Sequence, residues 1–150
     1  MKLFLNELKK LQDIKVKPSP PKDFTNFWDS FIQKSANTPL DIKRKKETFP
    51  IPKMDVYEIS FNALDLTRIQ GKLILPPEAK KQKVPAIIHY HGAGWWSSTP
   101  DSYSSWILLG AAVLTIDFRN QSGKTNSKSG YGEGPTSIMG LGILDKEHCS

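Results

Sequence analysis

The sequence predicts an α/β fold in which antiparallel strands lead into the start of a parallel sheet. Three observations carry this. Val84 to Ile88 is apolar without alternation and runs straight into a turn, His91-Gly92-Ala93-Gly94. A helical segment and a second unalternated apolar run, Ala111 to Asp117, follow it. Two strands covered on both faces and joined by such a crossover pair in parallel. Upstream, Tyr57, Ile59 and Phe61 alternate with Glu58, Ser60 and Asn62, and Ile69, Gly71, Leu73 and Leu75 repeat the period of two after a short turn. That pattern predicts half-buried strands in an antiparallel hairpin.

The elements follow in chain order. Leu3, Leu5, Leu8 and Leu11 give a short, weakly amphipathic helix that needs a docking surface to persist. Lys17-Pro18-Ser19-Pro20-Pro21 is a stiff connector. Asp23 is placed to cap a second helix, whose Phe24, Phe27, Trp28, Phe31 and Ile32 form one apolar stripe and are expected to pack. The basic runs Lys43 to Lys46 and Lys80 to Lys83 are expected in solvated loops. Ser102 to Leu109 predicts a helix ended by Gly110. From Asn120 to Gly134 the composition turns to Gly, Ser, Asn and Lys, a long irregular loop of the kind that lines active sites.

The bounds are simple. The chain has 150 residues and a formal charge of +6. No aromatic residues interleave with the basic clusters, so nothing predicts a nucleic-acid groove. A single cysteine, Cys149, excludes an internal disulfide. Asn6, Glu7, Lys9 and Lys10 interrupt the N-terminal apolar start, and no stretch approaches the roughly 20 apolar residues that span a bilayer. The expectation is a soluble cytoplasmic protein.

The chemistry concentrates at the glycine turn. An apolar strand ending in His-Gly-x-Gly is how α/β-hydrolases place one backbone N–H of an oxyanion hole. Such fixed donors stabilise the negative charge of a tetrahedral intermediate without reorganising. The partner motif, Gly-x-Ser-x-Gly, occurs nowhere in these residues. Two other readings are weaker. His89 and His91 share a strand face and could begin a metal site, but Asp117 and His148 do not complete a recognisable ligand spacing. A dinucleotide fingerprint lacks its third glycine, because Ser97 stands there and Trp95 and Trp96 crowd the turn. No metal and no cofactor are expected.

The chain resembles the N-terminal part of the acetyl xylan esterase and cephalosporin-C deacetylase family, carbohydrate esterase family 7. Pro21-Lys22-Asp23-Phe24-Thr25-Asn26-Phe27-Trp28 resembles its Pro-x-Asp-Phe-x-x-Phe-Trp segment, and Asn37-Thr38-Pro39-Leu40 the stretch after it. Gly71-Lys72-Leu73-Ile74-Leu75-Pro76 resembles the end of its second strand, and His91-Gly92 its His-Gly turn. Asp117-Phe118-Arg119-Asn120-Gln121 resembles Asp-x-Arg-Gly-Gln, and Gly140-Leu141-Gly142-Ile143-Leu144-Asp145 the Gly-Ile-x-Asp segment before the nucleophile helix. The resemblance covers nearly the whole chain and about half of the family's length.

It implies a truncated α/β-hydrolase: residues 1–150 as the N-terminal part of a single domain, with a helical extension over about residues 1–35. It implies Ala93, where the family has a tyrosine, as the oxyanion-hole N–H donor, with His91, Gly92, Arg119 and Gln121 as substrate-binding or structural motif residues. Asn120 replaces the family's glycine, a change best tolerated by asparagine if φ is positive there. Arg119 is as well explained by a surface ion pair. The catalytic Ser, Asp and His have no counterparts in the chain. The implied activity is serine carboxylic-ester hydrolysis of small acetylated sugars or related acetyl esters, in a full-length homo-oligomer, with the 150-residue chain inactive alone. The alternative is a non-catalytic remnant that serves oligomer formation or regulation.

Overall fold

The structure is a computed structural model that describes residues 2–15 and 17–126. The expectations on Gly140 to Asp145, His148 and Cys149, and on the loop beyond Asn126, lie outside the described residues. The chain divides into two compact units, Met1–Gln33 and Lys34–Ser150.

In the first unit, α1 spans Lys2–Gln12 and α2 begins at Phe24, running to Asn37. The N–H of Phe27 donates to the Asp23 carbonyl at 2.8 Å, which starts α2 at the expected residue. The aromatic stripe meets itself: Phe24 lies 6.3 Å from Trp28 and Phe27 lies 6.2 Å from Phe31, centroid to centroid. Within this unit the rings pack on one another, and no residue of α2 is buried. Four-residue spacing aligns the rings along the helix.

The second unit is built on a sheet of five described strands: β1 (Lys43–Glu47), β2 (Asp55–Asn62), β3 (Arg68–Leu75), β4 (Ala86–Tyr90) and β5 (Ala112–Ile116). Their order is β1-β2-β3-β5-β4. The hairpin of β2 and β3 is antiparallel, as the alternation predicts, and β4 pairs with β5 in parallel, as the crossover predicts. Between β4 and β5 the chain makes a 3-10 turn, Pro100–Tyr103, and the short helix α3, Ser104–Leu108, ending where Gly110 donates to the Ile107 carbonyl at 3.0 Å.

Register explains the core. Val56 pairs with Ile74, Ile74 with Val113, and Val113 with Ile87, so one row of β-branched side chains crosses the sheet on one face. Val56, Ile74 and Val113 are fully buried there beneath Tyr103 and Ile107 of the crossover. One pleat further along, the same face turns polar, with Glu58 opposite Lys72, Lys72 opposite Thr115, and Thr115 opposite His89. Tyr57, Ile59 and Phe61 fall on the other face, because side chains alternate along a strand.

Two expectations are corrected. Lys43 to Lys46 are not a loop but most of β1, the sheet's first edge, antiparallel to β2 from Lys43 opposite Ser60 to Glu47 opposite Val56. No apolar alternation marks this strand; the ladder of β2 recruits it, and its side chains find local partners. The Arg44 guanidinium sits 5.3 Å over the Tyr57 ring, and Lys46 meets Asp55 at 2.8 Å. Hydrogen bonds from Lys46 and then Lys80 hold the Asp55 carboxyl below the usual carboxylate range. The second correction concerns β4. Read as covered on both faces, it has no buried residue and Ile88 is 56% exposed. Its place as the other edge of the described sheet is the open edge expected of Val84 to Tyr90 when the serine-bearing strand is not among these residues.

Candidate active site

The parallel pair sends two loops out from the carboxyl ends of its strands, residues 91–99 after β4 and 117–126 after β5. This end of a parallel sheet is where α/β proteins place their ligands. Along the first loop, the Trp95 N–H donates to the Gly92 carbonyl at 3.1 Å and closes a four-residue turn. Gly94 has φ +76° at its third position, the left-handed geometry that a type II turn requires there. Ala93 is the second residue of this turn and is exposed.

Side chains from both loops hold the turn. Gln121 accepts the Gly94 N–H through Oε1 at 2.9 Å, and Ser122 donates its hydroxyl to the Gly94 carbonyl at 2.8 Å. His91 is buried and spans the two strand ends: its Nε2 accepts the Phe118 N–H at 3.0 Å, and its Nδ1 reaches the Gly92 carbonyl at 2.9 Å. A carbonyl only accepts and an amide only donates, so the proton sits on Nδ1 and the imidazole is neutral in this arrangement. Its ring packs 4.6 Å from Phe118. His91 therefore orients the turn, and its ring nitrogens are both engaged in doing so.

Asp117 ties the loops from below. Its Oδ1 accepts the Ser97 N–H at 2.7 Å and its Oδ2 the Lys124 N–H at 2.8 Å, while its own N–H donates to the Gln70 carbonyl. The residue is 4% exposed. Removing the carboxylate strands two amide donors, each worth about 1–3 kcal/mol if left buried without a partner. Gly123 lies against this carboxyl, and a Cβ there would overlap the Asp117 side chain. Behind them, Thr125 accepts the Gln70 N–H at 2.8 Å and its carbonyl accepts the Asn120 N–H at 3.1 Å. Asn120 has φ +52°, the conformation in which asparagine best replaces glycine.

Arg119 turns away from the turn and forms a two-pronged ion pair with Asp65 in the β2–β3 turn, both N–O distances being 3.0 Å. Burial alone would raise the Asp65 carboxyl; hydrogen bonds from Thr67 and the charge of Arg119 overcome this and hold it low. The guanidinium thus anchors the 117–126 loop to the hairpin. The five residues singled out from the sequence fall into two groups. His91, Gly92, Ala93 and Gln121 converge on one turn, and Arg119 supports it from the far side.

Below the turn lies a depression of about 280 Å³, bordered by His89, His91, Gly92, Trp95, Ser98 and Tyr103 among others. The Tyr103 hydroxyl is buried and donates to the Ser97 carbonyl at 2.7 Å, with His89 Nδ1 and Thr115 Oγ1 each 3.1 Å away. Sequence reading missed Tyr103, Ser122, Thr125 and the tethering role of Asp117. The only signal was Asp117 itself, a carboxylate at the end of an apolar strand. Among the described residues, no group of three His, Cys, Asp or Glu side chains could hold a metal ion. No described helix is long and apolar enough to cross a membrane.

Residues 1–149 match the sequence model of the acetyl xylan esterase (AXE1) family. An acetyl xylan esterase from Paenibacillus sp. R4 superimposes with a TM-score of 0.73 at 28% identity, over 85% of this chain and 41% of that one. Acetyl xylan esterase 1 from Thermoanaerobacterium sp. JW/SL YS485 shares the fold with a TM-score of 0.71 at 24% identity, over 85% of this chain and 39% of its own length. The chain thus spans about two fifths of the solved structures it matches. With residues 1–149 matched, the chain belongs to the acetyl xylan esterase family.

Proposed function

We propose that these residues form the N-terminal part of a serine carboxylic-ester hydrolase of one α/β-hydrolase domain, acting on acetyl esters of small sugars. One observation supports this reading above the others. A type II turn at the carboxyl end of β4 exposes Ala93 at a position whose N–H takes no part in the turn's own hydrogen bond, and four tethers hold that turn. Ala93 N–H is one oxyanion donor in this proposal. As a serine attacks the acetyl carbonyl, charge develops on the carbonyl oxygen, and an amide already aimed there stabilises it without rearrangement. The serine and its His–Asp partners come from outside residues 1–150, which contain no Gly-x-Ser-x-Gly. Gln121, Ser122, His91 and Asp117 are positioning residues, Gly92 admits close approach of the ester, and no cofactor takes part. The assembled enzyme is proposed to be a homo-oligomer, as the family resemblance implies.

The test joins residues 1–126 to the remaining part of the Paenibacillus esterase and follows acetate release from an acetylated sugar. Turnover is expected, with Ala93→Ser close to the parent. Ala93→Pro removes the donor and should lower kcat by about 100-fold or more, circular dichroism confirming that the variant is folded. Equal rates in a folded Ala93→Pro protein would remove Ala93 from the site. The 150-residue chain alone should release no alcohol above background, since a donor without a nucleophile has no intermediate to stabilise. A stoichiometric burst from that chain would overturn the assignment of the nucleophile to other residues.

A further inference from the structure

Trp95, the last residue of the turn, and Trp96 after it carry side chains that the tethering network does not use. Trp95 and Trp96 stack on each other, centroids 4.7 Å apart and planes 15° off parallel, and are 55% and 40% exposed. Exposing two indoles side by side is costly in water, and stacking them leaves one outer face on each. The outer surroundings differ. Trp95 borders the depression of about 280 Å³ beneath the turn, and Trp96 borders a second one of about 300 Å³ over the polar end of the sheet. Ser98, which borders both, is held at φ +59°, a conformation that costs a non-glycine residue on the order of 1 kcal/mol and gathers at binding sites.

The first depression has the residue types of a small-sugar site: one indole, Trp95, together with the hydroxyl groups of Ser98 and Ser102 and the imidazoles of His89 and His91. Ser98 and Ser102 share one hydrogen bond at 3.0 Å, and each hydroxyl retains capacity for another. Its volume of about 280 Å³ lies just below the roughly 300–1,000 Å³ of ligand pockets, which suits one sugar ring rather than a chain of them. We propose that Trp95 is the stacking platform for the pyranose ring of an acetylated sugar whose ester carbonyl meets the Gly92–Trp95 turn. The indole face takes the apolar C–H face of the ring, Ser98, Ser102 and His89 take its hydroxyls, and Trp96 backs Trp95 and fixes its orientation. This places the alcohol side of the ester. The inference rests on the esterase reading for the acetyl group alone, and its test needs no turnover.

The 150-residue chain is titrated with a monoacetylated methyl xylopyranoside, at the low protein concentration that tryptophan fluorescence allows. Saturable quenching is expected, with Trp95→Ala weakening binding at least about fivefold, the scale of one aromatic stacking contact, and Trp95→Phe retaining most of it. Saturation transfer from indole protons to the sugar ring reads the same contact in the unmutated chain. A chain with native circular dichroism that shows neither quenching nor transfer overturns the proposal. Binding that Trp95→Ala leaves unchanged overturns it too, as does a Trp95 that acrylamide cannot reach because protein covers it. Because the readout is binding, an inactive joined enzyme would defeat the esterase reading and leave this result standing.

Discussion

The two edges of the described sheet are opposites. β1 carries Lys43, Arg44, Lys45 and Lys46 in succession, each exposed, with its backbone paired to β2 alone among the described strands. β4 presents Ala86, Ile88 and Tyr90 exposed, with no charge from Val84 to Ile88 and its backbone paired to β5 alone among the described strands. A charged edge resists the addition of another strand, whereas an apolar edge with free N–H and C=O groups invites it. The difference teaches that an edge position is not one environment. β1 is composed for water, and β4 has the composition of a strand with neighbours on both sides.

The sharpest way to break this comparison is to cut side chains of similar kind at the centre and at the apolar edge. Val113 sits in the middle of the buried row, so Val113→Ala should lower unfolding free energy by about 2 kcal/mol in urea titrations. Ile88→Ala, at an exposed site, should cost no more than about 0.5 kcal/mol. Equal costs would mean that β4 is covered and its exposure misread. A second measurement concerns association. The chain should self-associate through β4, and Ile88→Lys should raise the midpoint concentration in light scattering about tenfold, roughly 1.4 kcal/mol. A monodisperse unmutated chain at all accessible concentrations would show that this edge is blunted as well as β1.

The smallest effect belongs to the charged edge. Asp55 has its carboxyl below the ordinary value because of Lys46 and then Lys80. A carboxyl depressed in the folded state contributes stability above its unfolded pKa, about 3.9, and loses it as pH falls through the folded value. Both ammonium groups are mostly exposed, so the contribution is under about 1 kcal/mol. Asp55→Asn should therefore flatten the loss of stability on acidification below about pH 4 and leave the slope above pH 6 unchanged. An unaltered acid limb would assign no energy to this cluster.

How much was legible divides along the same line. The β2–β3 hairpin and the parallel pair follow from periodicity and crossover length, and the glycine turn from four consecutive residues. β1 was illegible because nothing in Lys-Arg-Lys-Lys favours a strand; its conformation comes from the hydrogen bonds that β2 offers. In the site, Ala93, His91 and Gly92 are adjacent in sequence and were read together. Gln121 reaches Gly94 from 27 residues away, and Arg119 reaches Asp65 from 54, so motif reading could name these residues but not their partners.

By itself, then, the sequence determined which segments are strands of the hairpin and the parallel pair, where the exposed backbone turn lies, and that no serine elbow occurs within residues 1–150. These depend on near-neighbour patterns, which hydrophobic period and glycine geometry encode locally. Tertiary structure alone decided that a basic run becomes an edge strand, that Arg119 is an anchor, and that Asp117 stitches two loops through backbone amides. It alone decided that two apolar strands of like composition differ in burial. Burial and hydrogen-bond partnership belong to pairs of surfaces, and a strand's own residues specify only one of the two.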